Sequence, residues 1–169
     1  MRYNVILTSL LAATLFCNPF ASFASEKDGE GRLIGAWMFT CSDGPCRAFI
    51  GVMEGETSRL VLSIQKDQET GRALLAVHAP LGTILPPGVR VFTTGDHFAS
   101  LPFQICQADG CDAVVLLDDE LRNRLSQTGV ARVAFFLQTD PAEKPEGREF
   151  DVPVHGISDA IEALIIGQD

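Results

Sequence analysis

Cys106-Gln107-Ala108-Asp109-Gly110-Cys111 is the stretch that most constrains the fold, and Cys41-Ser42-Asp43-Gly44-Pro45-Cys46 repeats its spacing. Each stretch holds two cysteines five positions apart, separated by small, polar and turn-forming residues, and each follows an extended-looking run. Residues that flank a four-residue hairpin loop face each other with Cα atoms roughly 4.5–5.5 Å apart, within reach of a disulfide. The two stretches therefore predict two hairpins, each closed by its own cysteines.

The pairing of these four cysteines has alternatives. Four cysteines in an exported chain indicate disulfides and allow three connectivities. Cys41–Cys46 with Cys106–Cys111 is favoured because a short loop meets the geometry without long-range assembly. The rival pairing joins one cysteine of each hairpin across the core. A zinc site is disfavoured because the spacing is not C-x₂-C and the expected compartment is oxidising, and thiol exchange because C-x-x-C is absent.

The first 24 residues have the features of a cleaved signal peptide. Arg2 supplies the positive charge, a short apolar run extends from Val5 to Phe16, and Ser22-Phe23-Ala24 is a small-x-small cleavage site. We therefore expect cleavage after Ala24, which also removes Cys17, and a periplasmic, surface-associated or secreted protein. No later apolar stretch is long enough to cross a bilayer, so no transmembrane segment is expected.

The rest of the chain has the size of one acidic domain. Residues 25–32 are charged and glycine-rich and predict a flexible tail, and residues 33–169 predict a single domain. Cleavage removes Arg2 and no acidic residue, so the formal net charge goes from −9 to −10. Nucleic acid and anionic membranes both prefer a basic face, so neither is expected as a partner.

Short apolar runs between turn residues predict a mainly β fold. Runs of about six β-forming residues recur at the 8–12-residue spacing of an all-β sandwich. Residues 80–88 hold three prolines and two glycines, and they predict a connection between sheets packed by its own side chains. Two helices interrupt the pattern: one follows the acidic residues 118–120 and ends at Gly129, and the other has Ser158 as its N-cap and ends at Gly167.

The sequence contains no constellation typical of an active site. His78, His97 and His155 lack metal-ligand spacing, and no G-x-S-x-G motif is present. The acidic residues 118–120 are interpreted as a helix start, and Trp37 as a core residue beside a disulfide. We predict no catalytic residue, no bound metal and no cofactor, and the sequence assigns no binding residues.

Taken together, these features resemble the invasion-associated locus B family of exported bacterial proteins. The resemblance covers nearly all of residues 25–169 and rests on Trp37 ahead of the first cysteine pair, on residues 80–88, and on three further segments, 101–106, 110–113 and 154–161. It implies a periplasmic or surface-associated protein with an immunoglobulin-like β-sandwich. It also implies a link to host-cell entry, virulence and stress. The family has no established catalytic residues, so none is carried over.

Two functional hypotheses follow. The first is a non-enzymatic interaction module, in which a disulfide-stapled sandwich presents loops to another envelope or host protein. The second is a small-ligand-binding or enzymatic periplasmic protein, which requires a partly apolar pocket beneath residues 80–88. A purely structural envelope protein is a third reading that the sequence does not separate from the first.

Overall fold

Two antiparallel sheets and two helices surround one core. The computed structural model describes residues 31–41, 44–54, 57–93, 95 and 98–166. The strands of the larger sheet are β1 (Arg32–Ile34), β2 (Trp37–Thr40), β3 (Arg47–Glu54), β4 (Thr57–Lys66), β5 (Ala73–Ala79), β8 (Phe103–Cys106) and β9 (Cys111–Leu116). The strands of the smaller sheet are β6 (Val89–Phe92), β7 (Phe98–Leu101), β10 (Val130–Leu137) and β11 (Glu146–Pro153). The helices are α1 (Asp119–Thr128) and α2 (Ile157–Ile166).

The larger sheet is a meander that takes in a distant hairpin at one edge. Its strand order is β1-β2-β3-β4-β5-β9-β8, and every neighbouring pair is antiparallel. The smaller sheet has the order β11-β10-β6-β7. The expected mainly β fold with two short helices and two disulfides is confirmed.

The core lies between the sheets because apolar residues alternate along their strands. In β4, Leu60, Leu62 and Ile64 are buried, while the intervening Val61 and Ser63 lie on the opposite, outer face. Both helices add to this core, since Leu121 and Leu125 of α1 and four residues of α2 are buried in it. The inner face of the larger sheet is thereby covered, and its outer face is turned away from the core.

Glycines at Gly35 and Gly156 change two expected boundaries. The sequence predicts one extended run from Ile34 to Cys41, but the chain turns at Gly35 with φ +60°, and this turn separates β1 from β2. A Cβ on Gly35 would lie 2.4 Å from the carbonyl oxygen of His155, so the two backbones meet closely there. Helix α2 starts at Ile157, and the Ala160 N–H donates to the Gly156 carbonyl at 3.0 Å. The expectation that Ser158 caps this helix is therefore wrong, since Ser158 lies in its first turn.

The predicted signal peptide, residues 1–24, lies outside the described residues, as does most of the predicted tail, residues 25–32. Of that tail, Gly31 and Arg32 are described, and Arg32 begins β1. The cleavage site after Ala24 and the domain boundary at residue 33 stay predictions. Neither helix of the described chain is long and apolar enough to cross a membrane.

Candidate functional site

Both cysteine pairs close hairpin loops of the larger sheet. Cys41 is bonded to Cys46 between β2 and β3, and Cys106 to Cys111 between β8 and β9. This is the pairing that the loop geometry favours in the sequence analysis. The antiparallel order places the two disulfides at opposite ends of the sheet, the first near the β4–β5 turn and the second beside Ala79 at the end of β5.

The outer face of this sheet is concave and forms a cavity of about 500 Å³, which we call the outer-face groove. Its apolar floor comes from five strands and is formed by Phe49, Val61, Ala76, Val114 and Ile105. The register explains this grouping, because cross-strand partners lie on the same face of a sheet. Phe49 pairs with Ser63, Ser63 with Ala76, and Ala76 with Val114, so one row crosses four strands.

Apart from Ser63 in the middle row, the polar residues of the outer-face groove gather at its two ends. Arg47 and Gln65 are cross-strand partners at the end near the first disulfide. His78, Asp109 and Asp112 lie at the end near the second disulfide. The groove thus has an apolar middle and two chemically different ends, which we call the basic end and the acidic end.

At the acidic end, His78 lies between two carboxylates. Its Nδ1 is 2.8 Å from Asp112 Oδ1, and its Nε2 is 3.9 Å from Asp109 Oδ2. The side chains of His78 and Asp112 are 32% and 33% exposed, whereas that of Asp109 is 79% exposed. A neutral His78 that carries its proton on Nδ1 donates to Asp112 and leaves Nε2 as an acceptor. The pair thereby fixes the orientation of the ring.

The second disulfide loop packs directly on this histidine. A Cβ on Gly110 would lie 2.4 Å from the Ala79 carbonyl oxygen and 2.5 Å from His78 Nε2. The Gln107 N–H donates to the Gly110 carbonyl at 2.7 Å and tightens the loop. Gly110 is therefore required for close approach, and the loop holds Asp109 and Asp112 against β5.

Ser63 and His78, two polar residues of the groove, are not cross-strand partners. Ser63, the hydroxyl-bearing residue of the groove, is in register with Ala76 and not with His78, so the His78–Asp112 pair does not activate it through the strand pairing. Within the described residues, no cluster of three or more His, Cys, Asp or Glu side chains could hold a metal ion. An apolar floor with polar ends matches the composition of a recognition surface.

Residues 80–88 lie along β10. The Ile84 N–H donates to the Phe136 carbonyl and the Gln138 N–H to the Gly82 carbonyl, each at 2.8 Å. The hydroxyl of Thr83, itself 8% exposed, donates to the Pro80 carbonyl at 2.6 Å. A nearby cavity of about 270 Å³ includes one residue of the segment, Pro80, and lies between strands of both sheets. Residues 82–84 therefore pair with the end of β10 in the manner of a short strand. The small-ligand hypothesis instead requires this segment to cover a pocket.

The other residues singled out in the sequence have structural roles. Trp37 is fully buried, and its Nε1 donates to the Val154 carbonyl at 3.4 Å. Asp118 caps α1 by accepting from the Leu121 N–H at 2.8 Å, while Asp119 and Glu120 form ion pairs within the helix. His155 is exposed, its carbonyl accepts from the Ala36 N–H at 3.1 Å, and His97 lies outside the described residues.

Sequence reasoning missed the pair formed by His78 and Asp112, which are 34 positions apart. One signal was available in the sequence. Cysteine is among the most commonly buried residue types, and if Cys111 faces the core, as it does, strand alternation places Asp112 on the outer face. The position of His78 opposite Asp112 could not be predicted from the sequence. Strands β5 and β9 pair although the β6–β7 hairpin of the smaller sheet lies between them in the chain.

Comparison with protein-family models identifies one family. The family model described as "Invasion associated locus B (IalB) protein" matches residues 37–165. Among solved structures, the chain is similar to an invasion associated protein B from Bartonella henselae, with a TM-score of 0.67 and 19% sequence identity. That alignment covers 82% of this chain and 97% of the other, and at this identity it shows a shared fold. No curated protein matches the sequence. The chain therefore belongs to the invasion associated locus B family.

Proposed function

We propose that this protein is an exported, non-enzymatic interaction module of the bacterial envelope that binds another envelope or host protein on its outer-face groove. The observation that carries the proposal is the groove itself, an apolar floor on a sheet face turned away from the core. Soluble proteins expose contiguous apolar surface mainly where they bind something.

Four further features support the same proposal. The signal-peptide pattern of residues 1–24 favours export, and paired cysteines are typical of an oxidising compartment. Family membership favours a role related to invasion, since the similar structure from Bartonella henselae is that of an invasion associated protein. Within the described residues, no nucleophile is in register with His78, and this favours recognition over catalysis.

Site-specific photo-crosslinking in the bacterial envelope tests the binding face. A crosslinking amino acid replaces Ile105 in the groove, which is 54% exposed, and in a control protein it replaces Ile165 on α2, which is 55% exposed. We expect a discrete adduct at position 105 that is absent at 165 and that is lost when Val61→Arg is added. Equal adducts at both positions, or none at 105, would contradict the proposal.

Export is tested separately on the same material. We expect N-terminal sequencing of the envelope protein to begin at Ser25, since cleavage is predicted after Ala24. A protein that retains residues 1–24 would contradict the envelope location. It would not affect the conclusion about the binding face, which the crosslinking experiment tests separately.

A further inference from the structure

The two charged ends of the outer-face groove arise from one repeated pattern. Cys46 and Cys111, the second cysteines of the two pairs, are buried, with 4% and 5% exposure. Successive side chains of a strand point to opposite faces, so the residue after each cysteine lies on the outer face. These residues are Arg47 and Asp112, and each stapled hairpin therefore contributes one charge of opposite sign to the same groove.

The acidic end is built to present negative charge. Asp112 is held by His78 Nδ1 at 2.8 Å, and Asp109 lies 3.9 Å from His78 Nε2 with most of its side chain in solvent. A cationic group placed there meets two carboxylates, and a histidine ring oriented by one of them. Charge-assisted hydrogen bonds to a carboxylate are stronger than neutral ones, which favours an ammonium or guanidinium group at this end.

The basic end presents a single guanidinium. Arg47 is exposed, and its guanidinium carbon lies 5.4 Å from the centroid of the Phe49 ring on the floor. Among the described residues, no carboxylate lies within ion-pair distance of Arg47. The ring contact holds the guanidinium beside the floor of the groove, where an anionic group could accept from it.

The separation of the two ends sets the length of the occupant. Arg47 and Asp112 are three strands apart across the sheet and four residues apart along it, which corresponds to roughly 20 Å. An extended chain of about six residues spans this distance.

We propose that the outer-face groove binds an extended polypeptide segment of about six residues, apolar in its middle, with a cationic group at the acidic end and an anionic group at the basic end. This inference rests on the proposed function and names the chemistry of its partner. The apolar floor supplies most of the affinity, and the two opposite charges set the direction in which the segment lies.

A second copy of this chain fits the groove less well than a peptide. A two-fold axis could place Arg47 of one copy near Asp112 of the other, but two concave faces would enclose an unfilled space between their floors. A single extended chain fills the concavity without such a void.

Fluorescence anisotropy with defined peptides tests the inference. The probes are blocked peptides of about seven residues with alternating valine and threonine in the middle, ending in lysine and glutamate, in two lysines, in two glutamates or in two glutamines. We expect the mixed lysine–glutamate peptide to bind about two- to fivefold more tightly than each of the others, because each exposed charge pair contributes modestly.

Two exposed variants reverse the preference if the ends are assigned correctly. Arg47→Glu should make the two-lysine peptide the tightest, and Asp109→Lys should shift the preference toward the two-glutamate peptide. Lys144→Glu and Glu162→Lys are matched controls on exposed sites of the β10–β11 loop and of α2, and they should leave the ranking unchanged.

The possible outcomes separate this inference from the proposed function. Equal affinity for all four peptides, or no binding of any, overturns the inference, whereas the crosslink at position 105 tests the interaction surface independently. Concentration-dependent dimerisation that Val61→Arg abolishes, measured by sedimentation, overturns it in favour of a second copy. A ranking that follows the charge reversals supports it.

Discussion

The two disulfide hairpins share a covalent design and differ in what surrounds them. Each joins cysteines five positions apart at a turn between antiparallel strands. In the first loop, Gly44 has φ +133° and a Cβ there would meet nothing within 4 Å. In the second loop, a Cβ on Gly110 would meet the backbone of Ala79 and the ring of His78. The first glycine serves backbone conformation, and the second serves packing that positions a candidate binding site.

This difference shows that one sequence spacing can have two uses. A short disulfide loop fixes hairpin register wherever it occurs, because a one-residue slip would turn every side chain to the other face. It contributes to a site only where a neighbouring strand lies under the loop. The second hairpin meets β5 in this way, with Cys111 in register with Ala79.

Gly110→Ala should have the largest effect and should break the second hairpin selectively. The added methyl group would overlap the Ala79 carbonyl oxygen, which is fixed in the β5–β9 ladder, so we expect a loss of about 2–3 kcal/mol and a melting temperature lower by roughly 5–10 °C. Gly44→Ala should lose about 1–2 kcal/mol, because only the positive φ opposes it. Thermal unfolding followed by circular dichroism measures both, and a larger loss for Gly44→Ala would reverse the comparison.

Removal of each disulfide should show what the hairpins have in common. The loops are equally long, and the chain-entropy model gives each bond about 2 kcal/mol. We expect Cys41→Ser with Cys46→Ser, and Cys106→Ser with Cys111→Ser, to lower stability by similar amounts without abolishing secretion. Denaturant titration of both double variants provides the measurement. A difference beyond about 1 kcal/mol would show that one bond also supports packing around its loop.

Asp112→Ala and Asp109→Ala should differ in their effect on stability, because only Asp112 is hydrogen-bonded to His78. Loss of its hydrogen bond to His78 at 2.8 Å leaves a half-buried ring nitrogen without its partner, so we expect a loss of about 1 kcal/mol. Asp109→Ala should change stability by less than about 0.5 kcal/mol, because that carboxylate is exposed and 3.9 Å from Nε2. Equal losses in urea titrations would mean that Asp109 also holds the histidine.

The smallest expected effect concerns a turn that has no disulfide. The β4–β5 turn is closed by Asp67, whose Oδ1 accepts from the backbone N–H groups of Glu69 at 2.8 Å and Thr70 at 3.1 Å. Hydrogen bonds from the Thr70 and Glu69 N–H groups lower the pKa of Asp67 below its ordinary value. Because the pKa of Asp67 is lower in the folded protein than in the unfolded chain, its ionised carboxylate stabilises the fold at pH values above the unfolded-state pKa. This stabilisation is lost as the pH falls through the folded-state pKa. Amide chemical shifts of Glu69 and Thr70 should therefore move only at pH values below the ordinary Asp range.

The middle of β4 is the control for this pH experiment. Leu62 is buried, and its cross-strand partners are Ile50 and Val77, so its amide should stay unchanged while Glu69 and Thr70 move. Movement of all three together would indicate general acid unfolding rather than the loss of one capping carboxylate.

Much of the fold could be predicted from local patterns. Alternation in residues 60–64 predicts β4, and the acidic start with Leu121 and Leu125 predicts α1, because each signal lies within a single element. The boundary at Gly35 could not be predicted, since it results from contact with His155, 120 positions later. The sequence predicts the last strand only over Phe150 to Val154, whereas β11 begins at Glu146. Its first residues are polar because it is an edge strand, so the pairing with β10 rather than hydrophobicity makes them extended.

The sequence by itself determined the secondary-structure class, the favoured cysteine pairing and the family, because strand alternation, short-loop geometry and local motifs are properties of neighbouring residues. Only the tertiary structure decided that β5 pairs with β9 and thereby brings His78 to Asp112. It also decided that Arg47 and Asp112 share one concave face. Strand order depends on how distant segments bury their apolar faces together, and no local pattern in the chain encodes that choice.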